Sequence, residues 1–183
     1  MEITLRYQCQ KGDRWVEQHR LLQTGDVGDG QRSATEKTWN LEHEVLEVSD
    51  GQCRIRWRKN IASEGETSGE IWVDQLARNS QDRKTWSAPL FPEKPLQLGT
   101  VWSQENPALN ALVHFKLESA DDKTATIVSE CDADDADPAQ EVRATFTICR
   151  KTGRVLRSTN ATLSQNGDGL ISETVLEVNV KEN

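Results

Sequence analysis

The sequence predicts an all-β, antiparallel protein: two similar halves forming a curved sheet or partly open barrel, with little or no helix. Three observations carry this. Apolar and polar residues alternate with period two through most of the chain, the pattern of strands with one face buried. Asp, Gly and Asn pairs punctuate the alternation at hairpin spacing, as in Ser49-Asp50-Gly51 and Asn166-Gly167-Asp168-Gly169. No stretch of about a dozen residues repeats apolar side chains at the three- and four-residue spacing of an amphipathic helix.

Taken in order, Ile3, Leu5, Tyr7 and Cys9 share one face of a first strand, and Lys11-Gly12-Asp13 turns the chain. Trp15 to Leu22 reads as a second strand, and the glycine-rich run Thr24 to Ser33 as a loop. Trp39, Leu41, His43 and Val45 alternate cleanly, after which the pattern slips by one residue to Leu46 and Val48. A one-residue slip moves side chains to the opposite face unless a bulge absorbs it. Burying Trp39, Leu41 and Val45 is worth roughly 4 to 7 kcal/mol. A bulge disrupts a ladder bond of about 1 kcal/mol. A β-bulge between Val45 and Leu46 is therefore expected. After the Asp-Gly turn, Cys53, Ile55 and Trp57 run back. Ala62 to Ser68 reads as a loop, and Gly69 to Val73 as a short strand with Trp72 opposite Ile71 and Val73. The stretch 76–90 suggests one strand around Leu76 and another near Trp86.

Phe91-Pro92-Glu93-Lys94-Pro95 breaks regular structure, because proline lacks the amide donor and fixes φ. The second half then repeats the scheme. Leu98 to Trp102 leads in, and Ala111 to Leu117 alternates up to the turn Asp121-Asp122-Lys123. Ala125 to Ser129 returns, and Asp132 to Gln140 is an acidic loop. Val142 to Ile148, the turn Lys151-Thr152-Gly153, Val155 to Leu163, and a last strand with Leu170, Thr174, Leu176, Val178 and Val180 complete the chain. Gly12-Asp13-Arg14-Trp15 parallels Gly99-Thr100-Val101-Trp102. The expected organisation is one β domain over 1–183, with halves 1–90 and 96–183 joined by 91–95.

The composition excludes several functions. The net charge of −8 repels phosphate backbones, and no basic cluster overrides it, so no nucleic-acid partner is expected. No run approaches the ~18 apolar residues of a membrane span. The first residues alternate instead of forming a signal peptide, which places the protein in the cytoplasm at face value, or outside it if Met1 follows a removed signal. Four cysteines, Cys9, Cys53, Cys131 and Cys149, allow three disulfide pairings, and the spacing chooses none. Buried reduced thiols are the expected state.

Catalytic and metal-binding patterns are missing. The acidic loop offers Asp132, Asp134, Asp135 and Asp137 as weak calcium ligands, but Ala136 and Arg143 occupy ligand positions of the calcium-loop pattern, and a solvated loop fits better. His19, His43 and His114 are not spaced with one another or with cysteine as zinc ligands, and read as strand-surface or partly buried residues. No nucleophile elbow or phosphate loop occurs. No cofactor is expected, and no catalytic residue is assigned. Six tryptophans stand against three Phe and one Tyr, so an aromatic binding surface is the functional reading to weigh against core filling. Trp39 and Trp57 share faces with Leu41 and Ile55 and read as core. Trp72 and Trp86 are the ligand-binding candidates.

Three segments together resemble a group of uncharacterised bacterial all-β proteins, many of them exported or lipid-anchored. They are Leu5-Arg6-Tyr7 leading to Lys11-Gly12-Asp13, the run from Phe91 to Trp102, and Cys149-Arg150-Lys151-Thr152-Gly153-Arg154-Val155. The resemblance implies the fold and an envelope location, and brings no activity with it. The sequence departs from the group in showing no signal peptide or lipobox. The function expected is a non-enzymatic binding or interaction domain for an apolar, glycan or peptide-like partner. The alternatives are a hydrolase whose site exists only in the tertiary structure, and an assembly protein.

Overall fold

The computed structural model describes residues 2–26, 31–61, 65–78, 89–106, 111–133, 139–165 and 171–182. Ten strands form one antiparallel sheet: β1 (Arg14–Asp26), β2 (Arg32–Ser49), β3 (Gln52–Ile61), β4 (Gly65–Asp74), β5 (Val101–Asn106), β6 (Ala111–Ala120), β7 (Thr124–Ala133), β8 (Ala139–Cys149), β9 (Val155–Gln165) and β10 (Ile171–Glu182). Their spatial order is β4-β3-β2-β1-β10-β9-β8-β7-β6-β5. Each half is thus a run of hairpins, and the halves join where β1 pairs with β10, from Trp15 opposite Glu182 to Gly25 opposite Ser172. The sheet curves without closing, and β4 and β5 are its edges. Among the described residues there is no helix, and so none long and apolar enough to cross a membrane.

One cluster of buried residues draws on both halves: Trp15, Val45, Ile55 and Ile71 from β1 to β4, and Leu117, Ile127, Phe146 and Val155 from β6 to β9. What joins them is two extended leaders. Ile3, Leu5 and Tyr7 are buried in the same cluster, as are Phe91 and Leu96. Each such apolar side chain contributes about 1.5 to 3 kcal/mol when fully buried. The alternation at residues 3–9 thus reflects burial, but the segment is not the strand expected. Apart from a single bridge between Ile3 and Leu96, its amides bond to scattered partners: Tyr7 N–H donates to the Gln75 carbonyl beyond β4, and Gln8 N–H to the Thr152 carbonyl in the β8–β9 turn. The Arg6 guanidinium clasps the second leader through the Pro92 and Glu93 carbonyls.

The halves repeat in detail where each leader enters its first strand. Gly12 and Gly99 both have positive φ, +89° and +83°. Gly12 N–H donates to Val45 and receives company from Val45 N–H, which donates to Asp13. Gly99 and Thr100 make the same exchange with Leu117. Immediately beyond each exchange the partner strand is bulged, between Val45 and Glu47 in β2 and between Leu117 and Ser119 in β6. The expected bulge is therefore present, with Leu46 as the extra residue. Beyond it Val48 pairs with Cys53, although Val48 stays 45% exposed at the strand end. The hairpin turn carries positive φ at both Asp50 and Gly51, the geometry that makes Asp-Gly the preferred pair.

Further expectations need correction. Asp132 and Ala133 belong to β7 and Ala139 and Gln140 to β8, because the β7–β8 ladder extends into the expected acidic loop. Gly65 to Ser68 belongs to β4, because Ile61 to Arg58 on β3 hold its backbone in the ladder. Thr24 to Asp26 and Arg32 to Ser33 likewise extend β1 and β2. Leu76 lies in a turn closed by Asp74, whose carboxylate accepts from the Leu76 and Arg78 amides. Cys9 and Cys53 form a disulfide, with Cα atoms 6.7 Å apart, while Cys131 and Cys149 form no disulfide among the described residues. Spacing could not reveal this pair, because Cys9 meets β3 only once the leader crosses the sheet. Residues 79–88, with the second expected strand, and the Asn166–Gly169 turn lie outside the described residues.

The leader's fit can be tested at Gly153, where φ is +69° and a Cβ would collide with the Arg6 carbonyl. At Gly12, φ is +89° but a Cβ meets nothing within 4 Å. Gly12→Ala is expected to cost about 1 kcal/mol from backbone strain alone, and Gly153→Ala about 3 kcal/mol or more, by urea unfolding. Equal costs would mean that the leader is not held against this turn. The disulfide spans a sequence separation of 44 residues. In the chain-entropy account, reducing it is expected to lower stability by up to about 4 kcal/mol, seen as a fall in the urea midpoint with dithiothreitol.

Candidate functional site

The ladder register assigns every strand side chain to one of two faces, and the faces differ chemically. The face that holds the core points into the curve of the sheet. Trp15, Glu17, His19 and Leu21 of β1 lie on it, with their partners His43, Leu41, Trp39 and Lys37 on β2 and Val180, Val178 and Leu176 on β10. Across β9 to β6 it continues through Ser158, Asn160, Ala144, Ser129 and Phe115. Among the inward strand side chains described, the charged residues are Glu17, Lys37 and Lys59. The outward face carries the other described strand charges, cross-linked in ladders. Arg20 reaches Glu36 at 3.1 Å and Glu177 at 3.4 Å, and Arg56 bridges Glu44 at 3.8 Å and Glu70 at 3.5 Å. Exposed pairs of this kind contribute about 0 to 1 kcal/mol each and mainly keep that face wet.

Burial of the inward face is graded. The rows nearest the leaders are sealed, with Leu117, Ile127 and Ile148 fully buried. Farther along the strands Leu21, Trp39, Val113, Val142, Asn160, Thr162, Thr174 and Leu176 are partly exposed. The curve is therefore filled at one end. Toward the other end it presents apolar and neutral hydrogen-bonding side chains to solvent.

At the boundary sits a polar cluster. Glu17 is buried beneath this surface, its Oε2 2.9 Å from His19 Nε2 and its Oε1 3.2 Å from His43 Nε2. The His19 contact is a hydrogen bond in which the imidazole N–H donates. The His43 contact is electrostatic, since His43 Nε2 lies off the line a hydrogen bond requires. Both imidazoles are stacked on indoles: His43 on Trp15 at 4.6 Å and His19 on Trp39 at 5.0 Å between ring centres. The stack continues at each end with a cation, Arg154 above Trp15 and Lys59 above Trp39 at 4.9 Å. Arg154 is itself anchored by Asp13. Burial pushes the Glu17 carboxyl up, but the hydrogen bond from His19 and the proximity of His43 outweigh it and bring it down from 4.5 to about 2. The carboxylate is thus ionised and held between its two imidazoles.

This cluster belongs to the first half alone. Counting from the shared bulge, Phe115 takes the place of His43, and Trp102 stacks on it at 5.5 Å as Trp15 stacks on His43. Gln104, two residues beyond Trp102, takes the place of Glu17. The fold therefore does not require the charges. The sequence signal for them was Glu17-x-His19, which puts both side chains on one strand face. The association with His43 depends on the β1–β2 register and could not be read from spacing to another His or Cys.

Of the residues singled out in the sequence, Trp72 lies half-buried on the outward face of β4, with the Arg54 guanidinium 5.9 Å above its ring. Trp86 lies outside the described residues, as do Asp134, Asp135 and Asp137. Asp132 pairs with Glu141 at the end of β7. Among the described residues no group of three or more His, Cys, Asp or Glu is arranged to hold a metal ion. Trp39 and Trp57 face inward as expected, but both are only partly buried. Trp57 covers Gly69 of the edge strand, where a Cβ would lie 2.8 Å from the indole.

No family model matches this chain, and no curated protein matches it. Among solved structures it is similar to one of lipovitellin, described for its lipid–protein interactions. The TM-score is 0.63 at 8% sequence identity, over 95% of this chain and 25% of the lipovitellin chain. The chain thus spans about a quarter of that protein's length, and a likeness at this identity concerns the fold. The class it defines is an open, curved antiparallel sheet whose inner face is part core and part exposed surface.

The ionised state of Glu17 has a testable consequence. Because the folded carboxyl sits near 2 and its ordinary value is 4.5, its stabilisation is complete above about pH 4.5 and is lost as the pH falls toward 2. The full contribution is about 3 kcal/mol. Glu17→Gln is therefore expected to be less stable than the unaltered protein at neutral pH, with the difference shrinking between pH 4.5 and 2. Urea unfolding at stepped pH measures it. A gap that stays constant over that range would contradict an ionised Glu17.

Proposed function

We propose that this protein is a binding domain for an apolar, lipid-like molecule, which lies along the partly exposed inner face of the sheet. The observation that carries the reading is the segregation of charge. In a chain with 30 acidic and 22 basic residues, the inward strand positions are almost free of charge. They offer Leu21, Trp39, Val113, Val142 and Leu176 beside Asn160, Thr162 and Thr174. A wholly solvated face has no need of such a surface, and a closed core would not expose it. The likeness to lipovitellin supports the reading only as a fold known in a protein studied for its lipid contacts. The Cys9–Cys53 disulfide supports an oxidising compartment, in keeping with the exported proteins that the sequence resembles.

A second reading, hydrolysis, has one observation behind it, a His–carboxylate pair within hydrogen-bond distance. A triad would also present a hydroxyl or thiol to the second imidazole nitrogen. The Nδ1 atoms of His19 and His43 are buried with no hydrogen-bond partner among the described residues. Binding is therefore the better account.

Burying about ten methylenes at ~0.8 kcal/mol each corresponds to micromolar affinity before the costs of association. Titration with single-chain lipids, followed by tryptophan fluorescence, is expected to show saturable one-to-one binding in that range. Soluble glycans and peptides should leave the signal unchanged. Lipid silence together with a glycan or peptide response would overturn the reading.

A further inference from the structure

The Asn160 side-chain oxygen, Oδ1, is buried and has no hydrogen-bond partner. Asparagine is disfavoured inside strands, yet Asn160 stands in the middle of β9, away from both edges of the sheet. The buried Ser158, two positions before it, puts it on the inner face. Its neighbours across the ladders are Ala144 on β8 and Leu176 on β10, with Ser129 beyond Ala144 and Leu21 beyond Leu176. All four are uncharged, and three are apolar.

The orphaned nitrogens of His19 and His43 are closed in, since both rings are buried and stacked on indoles. Asn160 is instead partly exposed, as are Thr162 and Leu176 beside it, so a molecule in the open part of the curve reaches its amide. A terminal amide turns easily about its last torsion, and no hydrogen bond to Oδ1 opposes the turn. A chain laid over Leu176 and Leu21 would shut this amide off from water. Threonine hydroxyls tolerate such covering, because they can turn to a nearby backbone carbonyl, and Thr162 and Thr174 also stand opposite each other. The Asn160 oxygen can only accept. A covering molecule must bring a donor or leave it unpaired, and a buried unpaired acceptor costs more than an ordinary hydrogen bond gains.

We propose that the bound lipid is a single-chain alcohol, whose hydroxyl donates to Asn160 Oδ1 and whose chain lies over Leu176 and Leu21. This rests on the lipid-binding reading above and names its ligand class. A carboxylate or an ether oxygen has no hydrogen to donate. A carboxylate also meets no cation among Ala144, Ser129, Leu176 and Leu21, and it would share its face with the Glu17 carboxylate. An ammonium can donate, but it would shed its hydration among uncharged side chains.

Tryptophan fluorescence titrations with decanol, decyl methyl ether, decanoate and decylammonium, each below the concentration at which it aggregates, separate the possibilities. Decanol is expected to bind roughly tenfold more tightly than the ether, the difference that one hydrogen bond makes, and more tightly than either ion. In Asn160→Leu decanol should fall to the affinity of the ether, whose own binding is retained and shows that the variant is folded. Asn160→Val, smaller and β-branched, takes its place if the leucine variant loses the ether as well. Loss of the ether in both variants would make Asn160 a residue of the fold and overturn its assignment. An ether that matches decanol in the unaltered protein, or a preference for decanol that survives the substitution, removes the hydroxyl contact while lipid binding stands. Decanoate or decylammonium binding best would equally overturn the alcohol. If none of the four chains binds, the lipid-binding reading itself fails.

Discussion

The structure depends on the passage of the first leader across the open curve of the sheet. An unclosed sheet of this length has a buried face that its own strands cannot cover, and two unpaired edges. Ile3, Leu5 and Tyr7 supply the missing layer. Their backbone bonds to the Leu96 carbonyl, the end of β4 at Gln75 and, through Gln8, to the β8–β9 turn at Thr152. The leader thus ties the first half to the second on the side where no ladder does so. Arg6 and the Cys9–Cys53 disulfide fix its position at two further points. Everything from the buried rows of β6 to β8 to the stacked Trp15 rests against a core that this segment completes.

With one end sealed, the two faces of the sheet are free to carry different chemistry. Outward positions alternate acid and base across neighbouring strands, as with Arg14, Glu44, Arg56 and Glu70. Inward positions go from apolar to neutral polar to open. The Glu17 cluster marks the transition. In the second half Gln104 and Phe115 meet the same backbone requirements without charge. The two halves therefore differ in charge at the rows bordering the exposed surface.

Much of this was legible in the sequence because strand alternation is a local property. The turns at Asp50-Gly51 and Asp121-Asp122-Lys123 stand where their residues put them, and the slip at Val45-Leu46 announced its bulge. The leader was misread as a strand because burial between two segments leaves the same alternating pattern as burial on a sheet. Gly65 to Ser68 was misread as a loop because its small and polar residues serve an exposed edge, where pairing to β3 alone holds the strand. The Cys9–Cys53 bond and the meeting of Glu17 with His43 join elements through tertiary geometry, which no spacing encodes. Trp72 faces away from the core, as its alternation with Ile71 and Val73 implies, and stands among the outward charges with Arg54 over its ring.

The seam between β1 and β10 has a bearing on how the chain acquires its structure. Eight of the nine ladders join strands that are neighbours in sequence and can form as soon as both have been synthesised, whereas β1 must wait for β10 to complete its second ladder. Until then β1 is an edge, and the leader that crosses to the β8–β9 turn has nothing there to bind. Translation at about 5 to 20 residues per second leaves that edge uncovered for roughly ten to thirty seconds. Arg14 and Arg20 place charge along β1 over that interval, the kind of side chain by which open edge strands resist pairing with other chains.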